Sequence, residues 1–208
     1  MGIIAKNSGF TREPVPAGNY IARCYKMIEI GTVNEIVMGK STTLHKVRIG
    51  WELPNETRVF DPAKGEQPLV IDQEYTLSMH EKSNLRKTLE SWRGKAFTEK
   101  EAESFDITKL LGAPCMLNII HKTSKSGNVY EQIAGVTPVP KGVPVPPQIN
   151  KTFVLSYDDF NEELFNSLPD FIKTKMQGSL EYADMKNPHT KTIPQADDIN
   201  EPLDDLPF

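Results

Sequence analysis

A period-two alternation of apolar and polar residues runs through much of the first 137 positions and marks strands. In the stretch GNYIARCYKMIEI, residues 18–30, Ala22, Cys24, Ile28 and Ile30 share one phase, while Arg23 and Tyr25 share the other. Lys26 interrupts the apolar phase, which predicts a bulge or bend near Lys26-Met27. Residues 31–43 gather Gly31, Gly39, Lys40 and the hydroxyl run Ser41-Thr42-Thr43 and read as a loop. Val47, Ile49, Trp51 and Leu53 then alternate with Lys46, Arg48, Gly50 and Glu52, the pattern of a half-buried strand with a partly basic outer face. Pro54 ends it. Three prolines and one glycine in residues 54–68 predict a long connection, and a third strand follows over residues 70–80, with Tyr75, Leu77 and Met79 opposite Thr76, Ser78 and His80.

The spacing then changes. Leu85, Leu89 and Trp92 fall at i, i+4 and i+7 behind a Ser83 N-cap, and Gly94 stops the helix. Thr98 and Glu101 form a capping-box pattern for a second short helix to about Phe105, with Phe97 placed to staple onto Ala102. After Gly112-Ala113-Pro114, alternation returns over 115–123 and 129–137 around a tight turn at 124–128. The order is strand, strand, strand, helix, strand, strand, with no βαβ unit and therefore no parallel sheet. It predicts a mainly β fold with helical additions: a five-stranded OB-fold, a small Greek-key barrel, over residues 1–142, with 1–17 as a lead-in.

Five prolines between Pro138 and Pro147 predict an extended, semi-rigid stretch and make 143–156 a proline-rich linker. Residues 157–186 are expected to form a short helical segment. There Phe160, Leu164 and Leu168 line one face, Pro169 forces a break, and Phe171, Ile172 and Met176 continue to a Gly178 cap. Two roles stay open for it, extra core on the barrel or a surface for a partner or a homodimer. Residues 187–208 are polar, acidic and punctuated by prolines, and read as a disordered acidic tail.

Composition sharpens this picture in one respect. Of the 208 residues 38% are hydrophobic and 25% charged, and no run approaches the ~18 apolar residues of a membrane span, so no membrane partner is expected. Residues 1–10 lack the features of a signal peptide, and Cys24 and Cys115 stand far apart without a CxxC pair, which points to a reduced, cytoplasmic setting and no zinc site. The net charge of −4 divides unevenly, +3 over residues 1–150 and −7 over 151–208. A mildly basic body with an acidic end suits a nucleic-acid binder whose tail competes for the site or hooks a partner.

Catalytic patterns are missing: the sequence has no P-loop, no GxSxG elbow and no HExxH, and His45, His80, His121 and His189 are scattered. No enzyme activity, cofactor or metal is expected. Binding of single strands requires aromatic faces for bases and cations for phosphates, with no tight motif. The outer face of strands two and three, the loops around it, strand one and the last strand supply candidates: Arg23 and Tyr25 on strand one, Lys40, Lys46, Arg48, Arg58, Phe60, His80, Lys82, Lys122 and Lys125, and Tyr130 in the last strand, with Thr76 at strand three. Trp51 is also a candidate stacker, although it shares its phase with Val47 and Ile49 and so suits core packing better.

The last five residues, Asp204-Asp205-Leu206-Pro207-Phe208, place an apolar tripeptide and the terminal carboxylate behind two aspartates. This tip resembles the Asp-Asp-Asp-Ile-Pro-Phe end of bacterial single-stranded DNA-binding proteins, with Leu203 in place of one aspartate and Leu206 in place of isoleucine. The stretches EKSNLRKTLESWRGKAFT and LLGAPCMLNIIHKTSKSGNVYEQIAGVTPVPKG resemble a group of tailed-phage proteins read as OB-fold single-stranded DNA-binding proteins. The resemblance implies a phage-encoded protein acting in the host cytoplasm. It would bind and protect single-stranded DNA during replication or recombination, while the tip recruits replication or recombination proteins. Two rivals remain: an interaction module that blocks a host factor by acidic DNA mimicry, and a small nuclease or annealase, which needs a carboxylate cluster.

Overall fold

A computed structural model describes residues 13–37 and 39–187. Two long antiparallel strands, β1 (Gly18–Val37) and β2 (Lys40–Asp61), form the spine, and β3 (Gly65–Thr76) returns along β2. Helices α1 (Asn84–Arg93) and α2 (Glu99–Ala102) and a 3-10 turn (Ile107–Leu110) lead into β4 (Pro114–Thr123) and β5 (Val129–Thr137). The strands lie in the order β3-β2-β1-β4-β5. The sheet curls, and the outermost strands draw near each other where Val70, Ile71 and Asp72 of β3 share a cavity with Tyr130 and Glu131 of β5. The protein is thus mainly β, a curled antiparallel sheet with a few helices.

The first helices follow the sequence closely because their signals are local. Ser83 accepts a hydrogen bond from Arg86 N, and Gly94 closes α1 in the left-handed region at φ 66°. Thr98 and Glu101 make the reciprocal capping box of α2. Leu85, Leu89 and Trp92 turn inward, and the Trp92 ring stands 5.9 Å from that of Trp51. Arg86 ties the two helices together, donating to Glu90, Glu99 and the backbone carbonyls of Met79 and Phe97.

Four expectations are corrected. β2 runs through Pro54 to Asp61 and β3 begins at Gly65, so residues 54–68 are mostly paired strand rather than a long connection. Residues 31–37 and 40–43 are strand rather than loop, because the hydroxyl run pairs across the hairpin from Thr32–His45 out to Val37–Lys40. Strand three ends at Thr76 instead of His80. The break in β1 falls at Tyr25, one residue before the expected site, and a second shift lies between Glu29 and Gly31. The first bulge inverts the phase. Ala22, Cys24 and Met27 therefore join the core inside the sheet, whereas Ile28 and Ile30 face the opposite side.

That opposite side holds a second core. Residues 143–156, expected as a linker, are fastened to the sheet and include β6 (Phe153–Leu155), which pairs parallel with Lys26–Ile28 of β1 where β4 has ended. Arg23 donates to Pro146 O at 2.7 Å and to Gly112 O at 2.8 Å. The wholly buried Glu52 accepts Ile149 N–H and Asn150 N–H, each at 2.7 Å. Three helices follow, one more than expected: α3 (Glu162–Ser167), α4 (Asp170–Gln177) and α5 (Leu180–Lys186). Phe165, Leu168, Ile172 and Met176 pack with Leu155 on Ile28, Ile30 and Val33. Full burial of side chains this size is worth roughly 1.5–3 kcal/mol each, so these helices serve as extra core.

Polar contacts fix the angle of that layer. The Tyr157 hydroxyl lies 2.8 Å from Ser179 Oγ and 3.1 Å from Ile30 O. Glu181 accepts from Thr32 N and Thr32 Oγ1, both at 2.6 Å. Gly31, at φ 89°, makes room for this contact, since a Cβ there would stand 2.6 Å from Glu181 Oε2 and 2.8 Å from Ser179 Oγ.

Candidate nucleic-acid interface

The outer face of β2 and β3 does carry the expected cations, but most of them meet carboxylates. Lys46 Nζ lies 2.9 Å from Glu35 and 3.6 Å from Glu74. Lys175 of α4 reaches the same two carboxylates at 2.6 Å each. The Lys175 hydrogen bond and, behind it, that of Lys46 hold the Glu35 carboxyl below its ordinary value despite some burial. Lys26 Nζ and Arg48 Nε both bond Asp72 at 3.0 Å, the lysine crossing the space left by Gly50. Four cations here share three carboxylates, and Lys46 with 13% of its side chain exposed offers little to a phosphate.

Other expected contacts are also corrected. Arg23 is spent on backbone carbonyls of the fastened segment. Tyr25 is buried beneath Phe153, ring centroids 6.3 Å apart, and burial pushes its phenol well above the usual value. Trp51 is wholly enclosed, its ring tilted 52° against that of Trp92. None of these three has a face to give to a base. Arg58 is paired with Glu13 through both the carboxylate, at 3.2 Å, and the backbone carbonyl, at 3.3 Å.

The remaining candidates stand on the surface. Lys40 is exposed at the β1–β2 turn, and Phe60 is half exposed near the end of the β2–β3 hairpin. His80 and Lys82 rim a polar depression of about 470 Å³ whose floor includes Thr76 and Tyr75, and His80 Nδ1 accepts Lys82 N–H at 3.2 Å. On the β4–β5 hairpin, Lys122 faces Tyr130 across the strands and Lys125 sits in the turn, which Gly127 closes at φ 84°.

Tyr130 brings these parts together. It is 44% exposed and overhangs a cavity of about 310 Å³, lined also by Arg48, Val70, Asp72 and Glu131, at the seam between β3 and β5. The Phe171 ring of α4 also meets Arg48, 5.2 Å from the guanidinium carbon, and is 62% exposed. Arg48 uses Nε on Asp72, and its two terminal nitrogens have no hydrogen-bond partner among the described residues. The sequence pattern groups Phe171 with the apolar face of its helix. The signal against that was its neighbour: Ile172 and Met176 define the buried stripe, which leaves Phe171 and Lys175 on the next one.

Among the described residues, no group of three or more His, Cys, Asp or Glu side chains is placed to hold a metal. His45, between Glu29 at 2.9 Å and Glu181 at 3.5 Å, clamps α5 to the hairpin. Among the described residues no helix is long and apolar enough to cross a membrane. The tip residues Asp204, Asp205, Leu206, Pro207 and Phe208, and the acidic tail as a whole beyond Asn187, lie outside the described residues. Comparison of the chain with protein-family models, curated proteins and solved structures found no match.

Proposed function

We propose that the chain is an OB-type barrel protein that binds single-stranded DNA with little regard to sequence, in phage DNA replication or recombination in the host cytoplasm. The strand order, with β3 and β5 approaching at a common cavity, supports the Greek-key barrel. The observation that carries the binding reading is Tyr130, an exposed ring at that seam, with Lys122 opposite it and Lys125 in the adjoining turn. Bases stack on such a ring while lysines neutralise phosphates. The tip Asp204–Phe208 serves as the hook for replication or recombination partners.

The test is fluorescence anisotropy of a labelled oligonucleotide of ~30 nucleotides against the matching duplex, over a range of salt. Tight binding of the single strand, weak binding of the duplex and a linear loss of log affinity with log salt are expected. With three or four lysine contacts the slope is about −2 to −3. Equal affinity for both forms, or none for either, removes the reading. Deleting 204–208 should abolish partner pull-down and spare DNA binding.

A further inference from the structure

We propose that α4 belongs to the binding surface, with Phe171 and Tyr130 as two stacking platforms that share Arg48 as a neighbour, and that their ligand is an unpaired nucleobase. This rests on the single-strand reading above and assigns to the C-terminal layer a part of the site that the barrel alone does not contain.

Packing does not account for the Phe171 ring. The helix is docked by Ile172 and Met176, which are 2% and 0% exposed, whereas Phe171 is 62% exposed. The helix that carries the ring is nonetheless registered on the sheet: Lys175, one turn further on, is held by Glu35 and Glu74, and the ring itself meets Arg48. A ring carried on a docked helix needs no backbone ordering when a base covers it.

Arg48 links the platforms. Asp72 fixes its guanidinium through Nε, the Phe171 ring lies over it, and Tyr130 lines the same cavity from the β5 side. Its terminal nitrogens, without partners among the described residues, are donors suited to a base edge or a phosphate. Lys122 and Lys125 continue the path along the β4–β5 hairpin. Stacking of this kind tolerates any base, because each has a π-face.

Phe171→Ala, Phe171→Leu, Phe171→Trp and Tyr130→Ala in the full chain test this by anisotropy with the same labelled single strand. Thermal melts establish that each variant is folded, as expected for exposed positions. Loss of either ring should weaken binding by about 5- to 150-fold. Phe171→Leu should behave like the alanine variant, and Phe171→Trp should bind at least as well as the unaltered chain. If Tyr130→Ala weakens binding while Phe171→Ala or Phe171→Leu does not, the role of α4 is overturned and the single-strand reading stands. If the unaltered chain binds no single strand, both fall.

Discussion

Replacing Glu52 by Gln probes how firmly residues 143–156 are built into the sheet. The carboxylate is wholly buried and accepts Ile149 N–H on one oxygen and Asn150 N–H on the other, at 2.7 Å each. Glutamine keeps the shape, but one of its two ends is an amide N–H₂ that must face a backbone N–H. One charge-assisted hydrogen bond, worth about 1.5–3 kcal/mol, is lost, and the other falls to the strength of a neutral bond, about 0.5–1.5 kcal/mol. The cheaper burial of a neutral amide offsets part of this, leaving a cost of about 2–4 kcal/mol. For a chain of this size that lowers the melting temperature by about 5–12 °C. Hydrogen exchange should accelerate at Ile149 and Asn150, and at β6 just beyond them, before it does in β2. Wild-type melting with unchanged exchange at those amides would refute the idea that a carboxylate latch holds this segment.

Three further outcomes follow from the same contacts. Gly31→Ala forces a Cβ into the left-handed region and against Glu181 and Ser179, so it should cost about 2–3 kcal/mol and expose α5 first to limited proteolysis; equal protection of α5 would count against that docking. Glu35, hydrogen-bonded by Lys175, and Glu181, where bonds from Thr32 outweigh burial, both titrate below the ordinary 4.5, so their stabilisation is complete above that pH and is lost as pH falls through the folded values. Acid should therefore loosen α4 and α5 below about pH 4.5, seen as early loss of amide protection there, and uniform loss across the molecule would contradict it. Burial pushes the Cys24 thiol up to about 12 and Cys115 higher still, so a thiol reagent should label neither in the folded protein and both in denaturant.

What could be read from the sequence was what neighbouring residues decide. The Ser83 and Thr98 caps, the Gly94 stop and the inward face of α1 depend on spacings of four or fewer residues, and all were legible. The alternation of β2 correctly sent Trp51 inward and Lys46 and Arg48 outward, but it gives the face of a side chain and not its partner. Glu74 and Glu35 lie on other strands, and Lys175 comes from a helix far along the chain. The phase of β1 misled at Ile28 and Ile30, because a bulge is set by the facing strand, and Lys26 marked its place only to within one residue. β6 is three residues long and follows the proline-rich stretch, too short for any period to register. Tyr130 was legible as an exposed strand residue. Phe171 was not, because its place over Arg48 exists only once the helical layer has docked on the sheet.

The binding surface itself is accessible to photo-crosslinking. An oligonucleotide of ~30 nucleotides carrying photoreactive thymidines, irradiated with the full chain and mapped by peptide mass spectrometry, reports which residues bases touch. Adducts should fall on the β4–β5 hairpin at Lys122–Tyr130 and on α4 at Phe171, and disappear with excess unlabelled single strand but not with duplex. Absence of adducts, or adducts confined to the far end of the β2–β3 hairpin around Phe60, would contradict a single-strand site built on Tyr130, Arg48 and Phe171.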